Sequence, residues 1–477
     1  MKHESSAPTG PVPNNALVTV IAVVSAAITL PFGESVIGIQ LAAIGRSFDA
    51  HGALLSWVVN AYMLTFATSI LVAGLAADRL GRRRLFAIGL GLVGIANTLA
   101  IVAPSLASLI GLRAVAGLGA GTLLASGPAL LAARFPEPGP ARARAFAAFG
   151  SAAGSGIAFG PLVGGLIMDW NGWRAVFAVY LPFVAIAALL LPRIAPSHDS
   201  SAPRIDGWGV VLFTAVLAIL IWAIEGAGST PGSRMLLGAI ACVLAIVLIG
   251  IECRHAHPAI DPTFFMNPVF GVMSLTMVCW QIGVAVSMVY VPAVVVTGLG
   301  ASPGLAGASI LPMAIMLFLA TPLGPWLVGR IGTRGFIAAC IGAMIVGDEI
   351  IFATLTASET VSTAGLIAGL ALIGLGGGAA NGSMDNLAMG TISTARAGQA
   401  AGVFQTVRIG SAALAVASAG SALSISQTAP SNATGTLGDV TGRYAMLAGV
   451  GALLMSVLAV ASITVLRSAR SSHYKSR

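Results

Sequence analysis

Long apolar runs separated by short polar segments dominate this chain of 477 residues. Each of fourteen runs is close to the ~20 residues that a helix needs to cross the hydrocarbon layer of a bilayer. Backbone polar groups in lipid must be satisfied within the segment, and a closed barrel would show short alternating segments instead. We therefore predict an all-α polytopic membrane protein with spans 1 to 14 at residues 17–41, 54–76, 85–102, 106–133, 145–168, 175–191, 208–224, 235–251, 269–296, 305–328, 336–355, 363–389, 400–425 and 444–466.

The basic residues fix an expected orientation for these spans. If the N-terminus is cytoplasmic, 18 of the 24 Lys and Arg residues fall on the cytoplasmic side. Arg46, Arg174, Arg234 and Arg443 fall outside, and two more Arg residues lie within spans. This asymmetry follows the positive-inside rule. We expect a multi-pass protein of the cytoplasmic (inner) membrane with both termini in the cytoplasm.

Several other classes of protein do not fit the composition. The basic residues occupy short loops and form no basic face, so we expect no nucleic-acid partner. The polar opening 1–15 lacks the apolar core of a removable signal peptide, so the first run is expected to remain as a span. The four cysteines lie in apolar runs or at the end of one, which disfavours a disulfide framework or a zinc site. We expect no metal and no cofactor.

A short motif occurs twice in the chain. The sequence GLAADRLGRRR follows span 2 at residues 74–84, and GPWLVGRIGTRG follows span 10 at residues 324–335. The match in spacing predicts two related six-helix halves, with two extra spans between them. Duplicated halves are typical of transporters, whose substrate site lies where the halves meet. The predicted organisation is a tail at 1–15, a first half at 16–196, a linker with spans 7 and 8 at 197–262, a second half at 263–467 and a tail at 468–477.

These motifs resemble those of the major facilitator superfamily. The 74–84 segment is similar to the loop between its second and third spans, and Arg113 to Gly117 resembles its span 4 motif, with Ala116 in place of the usual Gln. The sequence AGSGIAFGPLVGG at 153–165 resembles the span 5 motif of its antiporters. Together with fourteen spans, these features resemble the drug:proton antiporter branch. The family usually carries an Asp in span 1 where this chain has Gly33.

The resemblance implies a gating role for the loop after span 2. Its gating residues would be Gly74, Asp78, Arg79, Gly81, Arg82 and Arg83. Asp78 would pair with an Arg and a neighbouring helix end in one state and release them in the other. The alternative is a cytoplasmic anchor, because clustered Arg residues hold loops inside. Gly81 is expected to supply a backbone conformation that other residues resist.

The span 5 motif combines small residues with a proline. Its members are Gly154, Gly156, Gly160, Pro161, Gly164 and Gly165. Small residues allow helices to approach closely, and Pro removes a helix hydrogen bond and bends the span. Ordinary tight packing of helices explains part of this pattern. The resemblance implies that the span also forms a bent hinge, which seals the cavity against ion leak.

Ionisable residues within spans are costly and indicate function. Glu34 and Arg113 each lie about 7 residues from the outer ends of spans 1 and 4, roughly 10 Å deep. They form either a permanent structural salt bridge or a proton-coupling site in which Glu34 takes up and releases protons. Asp348 and Glu349 in span 11 are further coupling candidates, unless the pair caps a shorter helix near the outer surface.

Adjacent positions on a helix point about 100° apart, so Asp348 and Glu349 are not expected to share one partner. Asp385 and Arg408 lie in the cytoplasmic thirds of spans 12 and 13 and are more typical of a structural or gating pair.

Polar and aromatic residues at mid-span suggest a substrate cavity. The candidates are Asn60, Tyr62, Trp280 and Gln281. An apolar cavity with aromatic faces suits lipophilic ligands, and carboxylates would add a preference for cations. Helix packing is the alternative for each residue, and the favoured one for Tyr62.

The sequence predicts a proton-coupled antiporter that exports lipophilic, in some cases cationic, drugs or toxic metabolites by alternating access. Its expected partners are a small lipophilic substrate, protons and the lipid bilayer, and we expect it to act as a monomer. The sequence contains no G-x-x-x-x-G-K-[ST] loop, the motif that would indicate direct use of ATP. The alternatives are a proton-coupled importer of a small metabolite and a membrane sensor or lipid-binding protein without transport. An enzyme is not expected, because no catalytic constellation stands out.

The charge asymmetry generates a topology prediction. In a background without the four native cysteines, a cysteine near Ser229 should react with an impermeant external reagent, because the 225–234 loop is predicted outside. A cysteine near Ser200 should stay unreacted in intact cells. Reversed or equal labelling would contradict the fourteen-span map.

Overall fold

A computed structural model describes most of the chain. The described residues are 14–50, 53–137, 139–195, 207–226, 230–255, 258, 260–356, 362–381, 383–392, 396–424, 448–462 and 464. Most of both predicted tails, Ser200, Ser229 and Arg443 lie outside this part, as do the side chains of Asp78 and Arg79.

The described chain is helical, as predicted, and contains no strand. We number its α-helices α1 Asn14–Ser35, α2 Ile37–Phe48, α3 Ala53–Leu80, α4 Arg82–Ile101, α5 Leu106–Arg134, α6 Pro140–Val176, α7 Tyr180–Leu190, α8 Gly207–Glu225, α9 Pro231–Glu252, α10 Thr263–Met266, α11 Pro268–Leu299, α12 Pro303–Ser309, α13 Leu311–Ala320, α14 Leu323–Thr356, α15 Thr363–Ala380, α16 Ser383–Met389, α17 Ala397–Ser424 and α18 Ala448–Ser462.

Twelve helical segments of the described chain are long and apolar enough to cross a membrane. One of them, Phe159–Arg193, covers the last ten residues of predicted span 5 and all of span 6, and Gly172 inside it has the positive φ of 75°. The helix Ala448–Ser462, where span 14 was predicted, is shorter than the other twelve. The polytopic helical class is therefore confirmed, and the count of fourteen stays a prediction.

Span 1 was predicted as one helix over 17–41, and this boundary was wrong. The helix is interrupted at Val36, and α2 then continues to Phe48. Pro31 removes one backbone donor just before the interruption, and Gly33 lowers the helix propensity of the same turn. The interruption places Glu34 in the last turn of α1, where some backbone carbonyl groups lack a hydrogen-bond partner within the helix.

The helices pack in two groups joined along a common boundary. In the N-terminal group, α3 and α4 pack on α5, and α1 packs on α5, α6 and α7. In the C-terminal group, α14 and α13 pack on α15, and α11 packs on α17. The groups meet where α3 contacts α17, α6 contacts α12 and α2 contacts α11.

The helices α8 and α9 join this arrangement from the side. They pack on each other, and α8 also contacts α3 and α17. The helix α8 therefore lies against both groups at the boundary between them, while most of the α9 surface stays uncovered.

Contacts across the boundary gather at one end of the bundle, which we call the closed end. The backbone N–H of Gly304, at the start of α12, donates to Asp169 Oδ2 near the end of α6 at 2.9 Å. Beside it, Gly165 lies against the Pro303 carbonyl, and Gly38 of α2 lies against the carbonyl of Val289 in α11. The predicted topology puts this end outside.

The glycine motif in α6 packs on α1 at the interruption of span 1. A Cβ at Gly156 would lie 2.5 Å from the Ile28 carbonyl oxygen, and one at Gly160 would lie 2.6 Å from Ser35 Oγ. Gly164 lies against Val36. These three glycines recur every four residues and so line one helix face. The tight-packing interpretation of the motif explains this face, and Gly165 extends the contact to α12.

The repeated motif also recurs in backbone conformation. Gly81, between α3 and α4, has φ 88° and ψ 128°, and Gly332 inside α14 has φ 69° and ψ 169°. Residues with a Cβ rarely adopt such angles, so Gly is needed at both positions. The two glycines occupy matching places in the repeat, and both join consecutive helical segments.

Two glycines of the same motif allow a matched packing test. Gly156→Ala should lower the midpoint of thermal unfolding in detergent, because the new methyl group meets α1 backbone; overpacking costs about 1–3 kcal/mol. Gly154 is the control, since its Cβ would meet only Phe318 at an ordinary 3.8 Å. Gly154→Ala should leave the midpoint equal or higher, because Ala favours helix over Gly. Equal midpoints for the two variants would contradict the close α1–α6 contact.

Candidate functional site

Arg113 is buried in the N-terminal group and fully engaged. It is 2% exposed, and its Nε donates to the Val58 carbonyl at 3.0 Å. Its Nη2 donates to the Gly33 carbonyl at 2.6 Å, and it also hydrogen-bonds the Tyr180 side chain. The guanidinium carbon lies 4.2 Å from the centre of the Tyr62 ring. Carbonyl oxygens and an aromatic face thus stabilise a cation that is removed from water.

The same contacts explain why Gly33 replaces the Asp that the family usually carries. A Cβ at position 33 would lie 2.6 Å from the Tyr62 hydroxyl oxygen. That hydroxyl donates to the Leu30 carbonyl at 2.9 Å. Tyr62 therefore fills the volume that a side chain at position 33 would need, and the Gly33 carbonyl accepts from Arg113. Tyr62 packs between helices here, which was the favoured alternative for this residue.

Glu34 is the next residue in the chain after Gly33, and its side chain is only partly buried. It lies within electrostatic range of Arg408 in α17 and of Arg113 in α5. In the part of the chain that is described, Glu34 forms no ion pair with Arg113. The prediction of a permanent salt bridge between them therefore finds no support. The carboxylate instead has one cation of each helix group within electrostatic range.

Arg408 lies, partly buried, beside two buried residues of the C-terminal group, Trp280 and Gln281. Its guanidinium carbon lies 4.7 Å from the centre of the Trp280 ring, and its carbonyl accepts from Gln281 Nε2 at 2.9 Å. Trp280 donates from Nε1 to the Gly377 carbonyl at 2.9 Å. Arg408 was predicted to act with Asp385, which accepts a hydrogen bond from Gln405 at 3.1 Å.

Asn60 leads to a carboxylate that the sequence analysis missed. Asn60 Nδ2 donates to Oε1 of Glu225, the last residue of α8, at 2.5 Å. Glu225 is 3% exposed, although it had been placed just beyond the predicted span 7. One signal could have found it: Glu225 ends an apolar run of 18 residues, 207–224, that contains no charge.

The four predicted substrate residues are all buried and hydrogen-bonded. Asn60, Tyr62, Trp280 and Gln281 are each no more than 4% exposed. A cavity of about 730 Å³ lies elsewhere, between α8, α11, α14, α17 and α18. Its wall is almost entirely apolar, and its residues include Phe213, Leu217, Ile282, Val286, Leu414 and Leu454.

Asp348 contributes the one carboxylate to this cavity wall. It is 5% exposed, whereas the neighbouring Glu349 is exposed on the outside of α14. The structure thus separates the two acids that were predicted as coupling candidates. An apolar cavity of this size with a single carboxyl group suits a lipophilic cation, whose charge would match the ionised carboxylate.

The gating motif is described in part. Gly81 directly precedes α4, and Arg82 and Arg83 lie partly exposed in the first turn of that helix. Gly74 is exposed near the end of α3 with open space around it. The side chains of Asp78 and Arg79 lie outside the described residues, so the latch stays a prediction. Among described side chains, no group of three or more His, Cys, Asp or Glu residues could hold a metal ion.

Comparison with curated proteins finds resistance proteins over most of the chain. Multidrug resistance protein Stp of Mycobacterium tuberculosis is 32% identical over 393 residues, which cover 81% of this chain and 72% of the relative. Puromycin resistance protein pur8 of Streptomyces alboniger is 30% identical over 423 residues, covering 87% of this chain and 83% of the relative.

Solved structures of transporters share the fold. A peptide transporter POT structure aligns with a TM-score of 0.67 at 15% identity, covering 97% of each chain. A structure of the nucleoside transporter NupG aligns with a TM-score of 0.64 at 13% identity, covering 95% of this chain and 100% of that chain. At such low identity the likeness concerns the fold alone.

The Major Facilitator Superfamily profile matches residues 23–416, which run from α1 into α17. This range includes the Arg113 and Glu34 cluster, the α6 glycine motif and both copies of the repeated loop. The predicted resemblance is confirmed at the level of the superfamily. The helical bundle is a major facilitator fold in a multi-pass membrane protein, which transports small molecules and is not an enzyme. The chain belongs to the Major Facilitator Superfamily of membrane transporters.

Proposed function

We propose that this transporter is a proton-coupled antiporter that exports lipophilic, including cationic, compounds across the cytoplasmic membrane by alternating access. Protons bind an intramembrane carboxylate from outside, and substrate from the cytoplasm displaces them. The bundle rocks between two states about the boundary between its helix groups. Both termini are cytoplasmic in this proposal, and a monomer carries out the cycle.

The observation that carries this proposal is the position of Glu34. It sits at the interruption between α1 and α2, partly exposed, with a cation of each helix group within electrostatic range. A movement of one group relative to the other changes the distance from Glu34 to Arg408 while Arg113 stays fixed by its carbonyl partners. Because a change of one pKa unit corresponds to only about 1.4 kcal/mol, such a movement is enough to alter proton affinity.

The cavity beside Asp348 supports the proposed substrate class. Its volume lies within the 300–1,000 Å³ that is usual for drug-sized ligands. The wall supplies apolar contact, and Asp348 supplies a single negative charge. The names of the relatives, which refer to multidrug, puromycin and lincomycin resistance, agree with export of such compounds.

The closed end and the glycine motif supply the seal that antiport requires. Close backbone contacts of α6 with α1 and α12 leave no room for side chains at Gly156 or Gly165. Tight contact of this kind excludes water and ions from the boundary. The loop with Asp78 and its neighbouring Arg residues would serve as the latch on the cytoplasmic side.

Glu34→Gln tests the coupling residue directly. The substitution keeps the shape of the side chain and removes its ability to change charge. Addition of substrate to reconstituted vesicles should release protons with the wild type and fail to do so with Glu34→Gln, while substrate binding remains. The measurement is the fluorescence of an entrapped pH dye. Glu137→Gln, at an exposed loop position, is the control and should behave as wild type. If Glu34→Gln still moves protons normally, coupling lies elsewhere, with Asp348 or Glu349 as the first candidate.

The cavity generates a selectivity prediction. Asp348→Asn should reduce export of a lipophilic cation such as ethidium about tenfold or more, because a charge-assisted contact contributes about 1.5–3 kcal/mol. Export of a neutral lipophilic compound should change little. Glu349→Gln on the same helix should show no such selectivity, since Glu349 faces away from the cavity. Equal loss for both substrates, or selective loss only in Glu349→Gln, would contradict the assignment.

A further inference from the structure

Glu225 is a buried acid that the proposed coupling site does not use. It ends α8, one of the two helices inserted between the halves, and hydrogen-bonds Asn60 and Ser56 of α3. Tyr290 of α11 lies in the same cluster and donates to the Val416 carbonyl of α17 at 3.0 Å. The carboxyl group therefore sits where α3, α8, α11 and α17 meet.

Two atoms of this cluster lack hydrogen-bond partners. Oε2 of Glu225 and Oδ1 of Asn60 are both fully buried and unpartnered, although the two side chains are joined by the Nδ2–Oε1 hydrogen bond. Both orphaned atoms are acceptors when Glu225 is ionised, so they cannot satisfy each other. Unsatisfied buried polar atoms each cost about 1–3 kcal/mol, and an unpaired buried charge costs more.

A single proton resolves this arrangement. A proton on Oε2 turns Glu225 into a carboxylic acid, whose O–H can donate to Asn60 Oδ1. The two side chains then form a cyclic acid–amide pair with two hydrogen bonds and no net charge. Binding converts carboxylate and proton into the acid and requires no further reactant.

We propose that Glu225 is a second proton-binding site, and that the protonated Glu225–Asn60 pair holds α8 against α3 and stabilises the closed end. Loss of the proton leaves an anion whose buried Oε2 has no hydrogen-bond donor. This state favours separation of the helices and entry of water. The inserted helix α8 thereby acts as a proton-sensitive clamp across the boundary between the two helix groups.

Few other ionisable groups face this site. From α11 the neighbour is Tyr290, and from α9 it is Arg234, which donates to the Gly226 carbonyl at 3.1 Å. From α3 the neighbours Ser56 and Asn60 are uncharged. The cation of α17, Arg408, lies about 12 Å along the helix from Val416, since the rise is ~1.5 Å per residue. The response to pH at this site is therefore assigned to Glu225.

The inference deepens the proposed function in one respect: proton uptake from outside would close the outer end after substrate release. The site itself does not depend on transport, so its tests use neither substrate nor vesicles with a gradient. A negative result for Glu34→Gln would not affect the tests of Glu225. A negative result in the tests of Glu225 would likewise not affect the proposal that Glu34 couples transport to protons.

The proton can be observed by pH-difference infrared spectroscopy of the purified protein. Wild type and Glu34→Gln should both show a carboxylic acid band that disappears as the pH is raised. In the Glu34→Gln background, a further Glu225→Gln substitution should remove this band, whereas a further Glu137→Gln substitution should retain it. A band that is unchanged by the further Glu225→Gln substitution would overturn the assignment of a proton to this residue.

The clamp can be observed with spin labels on the two helix groups at the closed end. Cysteines replacing Ala107 in α5 and Ala364 in α15, both exposed, carry the labels in a background without native cysteines. The wild-type distance should lengthen as the pH rises. Glu225→Gln should stay short at all pH values, because an amide pair keeps both hydrogen bonds. A Glu225→Gln protein that opens with pH as wild type does would overturn the clamp.

A double variant that exchanges the acid and the amide controls for the possibility that Glu225→Gln simply fails to fold. Asn60→Asp combined with Glu225→Gln places the acid on α3 and the amide on α8, so the same cyclic pair can form. The double variant should regain both a pH-dependent infrared band and the pH-dependent distance that Glu225→Gln loses. If the double variant folds and shows neither, the acid–amide pair is not the proton site.

Discussion

Burying ionisable side chains in an apolar bundle is expensive, and this constraint organises the interior of the protein. Each buried charge must be matched by carbonyl oxygens, by aromatic faces or by a proton. Arg113 uses the first two, through Gly33, Val58 and Tyr62. Arg408 uses the Trp280 ring. Glu34 and Glu225 are incompletely matched, and we assign protons to both; Asp348, in the apolar cavity wall, would be matched by a cationic substrate.

Close packing of small residues places those groups at the boundary between the helix groups. The face Gly156, Gly160 and Gly164 brings α6 against α1 at the point where span 1 is interrupted. Glu34 lies at that interruption, within electrostatic range of both Arg113 and Arg408. The neighbouring Gly165 meets α12, so the same helix connects the acid to the contacts that close one end. Packing and electrostatics therefore act on the same few turns of helix.

The sequence predicts these features to different degrees. Apolar runs locate the membrane helices, because the bilayer imposes their length and composition. The positive φ of Gly81 was foreseen, since a tight link between two helices has few alternatives to glycine. The interruption at Val36 was missed because one Pro within an apolar run does not specify where a helix ends. Glu225 was missed because its burial depends on Asn60, 165 residues away in the chain. The separation of Asp348 from Glu349 likewise depends on which neighbours cover α14.

Uphill movement of a lipophilic cation driven only by a pH gradient tests the central claim most directly. Purified wild-type protein is reconstituted into vesicles that are acidic inside, with the membrane potential clamped at zero and no ATP present. The account predicts that ethidium accumulates inside these vesicles and leaves when a protonophore collapses the gradient. Equal ethidium levels with and without the gradient would contradict proton-coupled antiport.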